Sequence, residues 1–181
     1  SRIPDDAKEH IYQLDLKAAG ITFNPSYDAK TGNTGTVRNF DFYWNDSSMT
    51  IARWPNADEY AKTAATTLND KEAKSIGFTM SEDRIERWKE AENPYVHGFF
   101  FYDWMDSIMP IASMNYETKE IRTDGFPIYG ISSDRRYFIF NLLEEIDTPG
   151  EYYIDKKRNM LYLYPDGDIK NADFSYCANN K

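Results

Sequence analysis

Residues 137–165 read YFIFNLLEEIDTPGEYYIDKKRNMLYLYP, and no other stretch limits the fold so tightly. The aromatic run Tyr137-Phe138-Ile139-Phe140 leads into Leu142-Leu143-Glu144-Glu145. Thr148-Pro149-Gly150 then interrupts the chain, and two further aromatic runs flank Lys156-Lys157-Arg158-Asn159. Short β-branched and aromatic segments bounded by Pro, Gly and Asn are strand and turn signals, so this succession predicts a half-buried antiparallel sheet. It supplies architecture and no reagent.

The rest of the chain follows the same grammar. Tyr12, Leu14 and Leu16 alternate with Gln13 and Asp15, which predicts a strand over 11–16 with the first three on its apolar face. Lys17-Ala18-Ala19-Gly20 reads as one helical turn ended by glycine. Residues 22–39 hold Pro25, Gly32, Asn33 and Gly35 and read as a loop. Segments 40–44 and 49–54 form an expected hairpin around Asn45-Asp46-Ser47-Ser48, stopped by Trp54-Pro55. Residues 57–80 are polar and weakly patterned and read as an irregular excursion with room for one short helix or strand. A short α-helix is expected over 81–92, capped by Ser81, with Glu82 and Asp83 in its first turn and Ile85 and Trp88 on one face. Further strands are expected at 96–101, 109–114, 119–123, 137–140, 151–155, 160–164 and 172–177. The fold class predicted is all-β: an antiparallel barrel or sandwich with that one helix and long loops, forming a single domain over 1–181.

Composition removes several function classes. The 181-residue chain has a net charge of −9, which opposes binding to a nucleic-acid backbone. It lacks the basic clusters that hold anionic lipid and any apolar run long enough to span a bilayer. Neither membrane nor nucleic acid is an expected partner. Cys177 is the single cysteine, so no internal disulfide can form. Aromatic residues make up 16% of the chain, first explained by a β-rich core and second by sugar-stacking surfaces.

Catalytic and metal constellations are thin. His10 and His97 are the only histidines, and HExxH, CxxC, GxSxG, phosphate-loop and EF-hand patterns do not occur. Asp166-Gly167-Asp168 reads as a turn rather than a calcium loop. Catalytic residues, metal ligands and cofactors are therefore expected to be none. Glu144 and Glu145 have the side-chain type of a glycosidase pair, but at a turn they are expected to be solvated or capping. The polar-aromatic group worth inspecting is His97, Tyr102, Asp103, Trp104 and Asp106. A corner held by side-chain hydrogen bonds is its plain reading and carbohydrate contact its functional one. Trp44 and Trp54 are assigned to the core, Trp88 to the helix anchor, and Trp104 to the surface.

Several blocks carry a resemblance across nearly the whole chain: Leu16-Lys17-Ala18-Ala19-Gly20-Ile21, Ala52-Arg53-Trp54-Pro55-Asn56, Val96-His97-Gly98-Phe99, Asp103-Trp104, and Asn141-Leu142-Leu143-Glu144-Glu145 with Pro149-Gly150-Glu151. Their order resembles the insertion domain of bacterial right-handed parallel β-helix glycoside hydrolases of the fucosidase/xylanase type. The resemblance implies a β-rich accessory domain of a larger extracellular or cell-surface protein, with catalysis on the β-helix. It carries no catalytic residue onto this chain. The expected role is to pack on the parent β-helix catalytic domain and shape its substrate cleft. The alternative is a carbohydrate-binding module with weak affinity of its own for polysaccharide.

Overall fold

A computed structural model describes residues 2–21 and 41–177, so the loop expected over 22–39 lies outside the described residues. The chain is all-β, as the strand grammar requires, and folds as two compact units. The first takes the beginning and end of the chain; the second takes residues 54–140.

The strands run in chain order as follows. β1 is Tyr12–Asp15, β2 Asp41–Trp44, β3 Ser47–Ser48 and β4 Thr50–Ile51. β5, Arg53–Trp54, falls where the chain passes between units, and β6 is Ala61–Lys62. β7 is Thr66–Asp70, β8 Ser75–Thr79, β9 Tyr95–Gly98 and β10 Ser107–Asn115. β11 is Glu120–Thr123, β12 Arg136–Phe140, β13 Glu151–Asp155, β14 Met160–Leu163 and β15 Phe174–Cys177.

In the first unit, β1, β14, β13 and β4 form one sheet in that order, and β15, β2 and β3 form another. Asn45 and Asp46 both take positive φ, 46° and 66°, so β2 and β3 close on a two-residue turn whose twist matches the strands. The segment expected as a single strand over 49–54 is instead broken, and β4 pairs with β13 in parallel, Thr50 opposite Glu151. β13 is buried on both faces. Tyr152 and Ile154 pack with Leu16, Phe42, Trp44, Met49, Leu161 and Leu163, while Tyr153 packs with Ala52, Leu143 and Ile146. This explains why the aromatic stretch dominates the sequence: one strand feeds two apolar clusters. The expected apolar face of β1 is corrected in part. Leu16 is buried, but Tyr12 and Leu14 stay exposed above an apolar cleft of about 360 Å³. Alternation identifies a face, and β1 is an edge strand whose face is only partly covered.

The second unit carries the sheet order β12-β9-β10-β11-β8-β7, with β6 also pairing with β12. Ile76, Phe78, Val96, Met109, Ile121, Tyr137 and Ile139 are buried. The Phe78 ring lies 4.9 Å from that of Tyr137 and 6.1 Å from that of Phe100. Two expectations fail here. Residues 57–80 hold more than the one short element expected: β7 and β8 form an antiparallel hairpin closed by Asp70, whose Oδ1 accepts from the Glu72 and Ala73 amides. β7 is rich in threonine and half-exposed, so the core-facing rings come from β8 alone and β7 has no apolar period.

The segment expected as an α-helix over 81–92 is a six-residue 3-10 helix, Asp83–Trp88, preceded by Glu82 with no side-chain cap. Ile85 and Trp88 are its buried residues, and i,i+3 spacing lines up in a 3-10 helix; there is no apolar row to draw the chain into longer α-geometry.

Gly98 lets the central strands approach one another. A Cβ there would sit 2.9 Å from Phe100 Cζ, 2.9 Å from Tyr137 Cβ and 3.0 Å from the Arg136 carbonyl. Two of these neighbours are fixed to the backbone of β12. Gly98→Ala is expected to cost about 1–3 kcal/mol by overpacking, read as a lower urea midpoint with unchanged slope. An unshifted midpoint would mean the strands can separate freely.

Candidate functional site

The residues singled out in the sequence meet at the corner between β9 and β10, but divide into two arrangements. His97 is central in its sheet, opposite Phe138 on β12 and Ile108 on β10. Its Nε2 lies 2.6 Å from Asp106 Oδ2, with the imidazole placed to donate. Asp103 turns to the other side. Its Oδ1 is 3.9 Å from both Arg135 Nη1 and Arg136 Nε, and its carbonyl accepts from Arg136 Nη2 at 3.2 Å. The Arg136 guanidinium lies 3.9 Å from the centre of the Phe99 ring and 5.3 Å from that of Tyr60. The two carboxylates thus have separate partners: Asp106 hydrogen-bonds His97, while the Asp103 carboxylate stands at ion-pair distance from two arginines.

Tyr102 and Trp104 project from this corner. Their rings stack 5.4 Å apart at 16°. Trp104 is 69% exposed and Trp44 and Trp88 are buried, as assigned from sequence, whereas Trp54, assigned to the core, is only half-buried. Sequence reasoning missed Phe101 and Tyr129, which join the same surface. The signal for Tyr129 lay in Pro127-Ile128-Tyr129-Gly130, two large apolar residues between turn formers.

Glu144 and Glu145 require a correction. They are buried rather than solvated. They lie in a 3-10 turn, Leu143–Glu145, in the first unit. Arg2 meets Glu144 in a two-point pair, Nε to Oε1 at 2.7 Å and Nη2 to Oε2 at 3.2 Å. Burial alone would lower the Arg2 pKa, but the Glu144 carboxylate outweighs it and holds the guanidinium charged, above the usual arginine value. Glu144 is therefore a structural counter-ion. Glu151 and Asp155 are two further buried acids that the sequence did not single out. Among the described residues, no group of three or more His, Cys, Asp or Glu is arranged to hold a metal ion.

The fold and corner define an all-β module with an aromatic surface. No family model matches the chain, and no curated protein matches it in sequence. Its fold is similar to that of a solved structure titled glycoside hydrolase, with a TM-score of 0.56 and 14% identity. The match covers 81% of this chain and 28% of that one, so the matched part spans little more than a quarter of that protein's length.

Proposed function

We propose that the chain is an accessory module of a carbohydrate-active protein and breaks no glycosidic bond itself. The observation that carries this reading is that most of the chain aligns in fold with about a quarter of a glycoside hydrolase. Fold likeness is an analogy, so the site chemistry must agree with it. It does: Glu144 is buried against Arg2, Asp103 faces two arginines, and Asp106 faces His97. A glycosidase needs two carboxyl groups set across one sugar ring, one of them free to give up a proton. Committing these acids to local partners favours a supporting role. The module packs on a parallel β-helix catalytic domain, shapes one wall of its cleft, and works outside the cell or at its surface.

The 181-residue chain, incubated with neutral and acidic plant and bacterial polysaccharides, is expected to release no reducing sugar above buffer. Coding sequence flanking this segment is expected to specify β-helix repeats. Turnover abolished by Asp106→Asn or Asp103→Asn would defeat the accessory reading, as would flanks unrelated to a β-helix.

A further inference from the structure

The aromatic surface of the second unit is built by two loops that hold each other in place. Phe100 is buried and anchors the corner after β9; Ile131 is buried and anchors the loop between β11 and β12. The Ser132 amide donates to the Phe100 carbonyl at 2.9 Å, joining the two anchors. On the second loop, the Gly130 amide donates to the Pro127 carbonyl at 2.8 Å. Gly130 has φ +74°, and a Cβ there would collide with the Asn69 amide. Glycine therefore lets the loop fold tightly over β7, with Tyr129 next to the turn.

Between these anchors, four rings stay in solvent: Phe101 37%, Tyr102 42%, Tyr129 46% and Trp104 69% exposed. Tyr102 is the hub, 4.7 Å from Phe101, 5.1 Å from Tyr129 and 5.4 Å from Trp104. A contiguous aromatic surface that remains exposed after packing on itself marks a binding site more often than an accident of folding.

We infer that this surface is a stacking platform for glycans made of uncharged pyranose rings. The inference takes its ligand class from the carbohydrate reading above, but does not depend on whether the chain is catalytic. Three observations favour a sugar over an apolar protein face. Tyr102, Tyr129 and Trp104 each carry a polar tip beside a flat apolar face, the combination that meets the CH face and hydroxyl rim of a pyranose. Asp103 precedes Trp104 in the chain and lies 3.9 Å from Arg135 and Arg136, which places acceptors and donors for hydroxyl groups at the same corner. The charges at the corner balance, with Arg135 and Arg136 against Asp103 and Asp106, while the whole chain carries −9. Nothing there selects an anionic sugar, and long-range repulsion opposes one.

The test is affinity electrophoresis of the full chain through gels containing arabinoxylan, galactomannan, mixed-linkage glucan, polygalacturonate or alginate. At least one neutral polymer is expected to retard the chain. Trp104→Ala and Tyr129→Ala are each expected to weaken that retardation about tenfold, within the range of one lost ring contact. Tyr12→Ser, an exposed ring of the first unit, is expected to leave it unchanged. Thermal unfolding of each variant separates lost binding from lost folding. The inference fails if no neutral polymer retards the chain, if only the acidic polymers do, or if the Trp104 and Tyr129 variants bind as the wild type does. It also fails if the chain self-associates in solution and Trp104→Ala abolishes that, because the platform would then be an interface between copies. Sugar release, measured separately, bears on the accessory reading and not on this one.

Discussion

Arg2→Met and Glu144→Leu are each expected to destabilise the chain by about 3–5 kcal/mol, because either change leaves one buried charge without its counter-ion. Arg2 and Glu144 are both largely withdrawn from solvent and joined at two points. The guanidinium also lies 5.4 Å from the centre of the Tyr153 ring, so the pair links the N-terminal segment to the most buried strand of its unit. Arg2 Nη1 makes no hydrogen bond, so the pair is not fully satisfied. The double variant Arg2→Met/Glu144→Leu should therefore recover most of the loss, since two apolar side chains leave no charge of the pair unmatched. Urea unfolding of the wild type, the two single variants and the double variant gives the coupling directly. Strictly additive losses would show that the pair is an incidental contact.

The history of Glu144 shows where sequence reading stops. In the chain it looks like a turn acid, and turn acids are usually wet. Its partner lies 142 residues away, and no local pattern encodes that meeting. Strands were legible where rings alternate and turn formers bracket them: β12, β13 and β14 fall where the aromatic runs place them. The β10–β11 hairpin was legible because Asn115 starts its turn, accepting from the Glu117 and Thr118 amides. β7 was not legible, because its threonines have β propensity without an apolar face. The helix was overextended because Ile85 and Trp88 fit both helical periods, and two anchors cannot choose between them. At the aromatic surface, Tyr102 and Trp104 were visible because they lie beside each other in sequence. Tyr129 comes from a loop 25 or more residues further on, brought near by the Phe100–Ser132 hydrogen bond.

Stability is expected to fall as pH rises from about 4.5 to 8, contrary to the usual behaviour of a protein with paired carboxylates. Glu151 sets this slope. Burial pushes its carboxyl up to about 8, although the Asp147 and Thr148 amides donate to Oε2 at 3.0 and 3.1 Å and favour the ion. The folded chain keeps a proton that the unfolded chain gives up near the ordinary glutamate value of 4.5. Raising pH through that interval therefore favours unfolding, by an amount on the order of a few kcal/mol. Two neighbours act in other windows. Burial opposes the charge of Asp155, but the backbone amide and guanidinium of Arg158 outweigh it and lower the pKa, so its contribution is lost only as pH falls below the ordinary aspartate range. Burial lowers Lys156 to about 8 from 10.5, so above pH 8 the folded chain holds fewer protons than the unfolded one and stability rises again. The sum is a trough near pH 8. Urea midpoints at pH 5, 6.5, 8 and 9.5 should trace it. Glu151→Gln, which keeps an acceptor for the two amides without a charge to bury, should flatten the descending limb, and Lys156→Met the rising one. A wild-type midpoint that climbs from pH 5 to 8 would show that the buried carboxylate is compensated, and a Glu151→Gln variant with an unaltered descent would show that another group sets the slope.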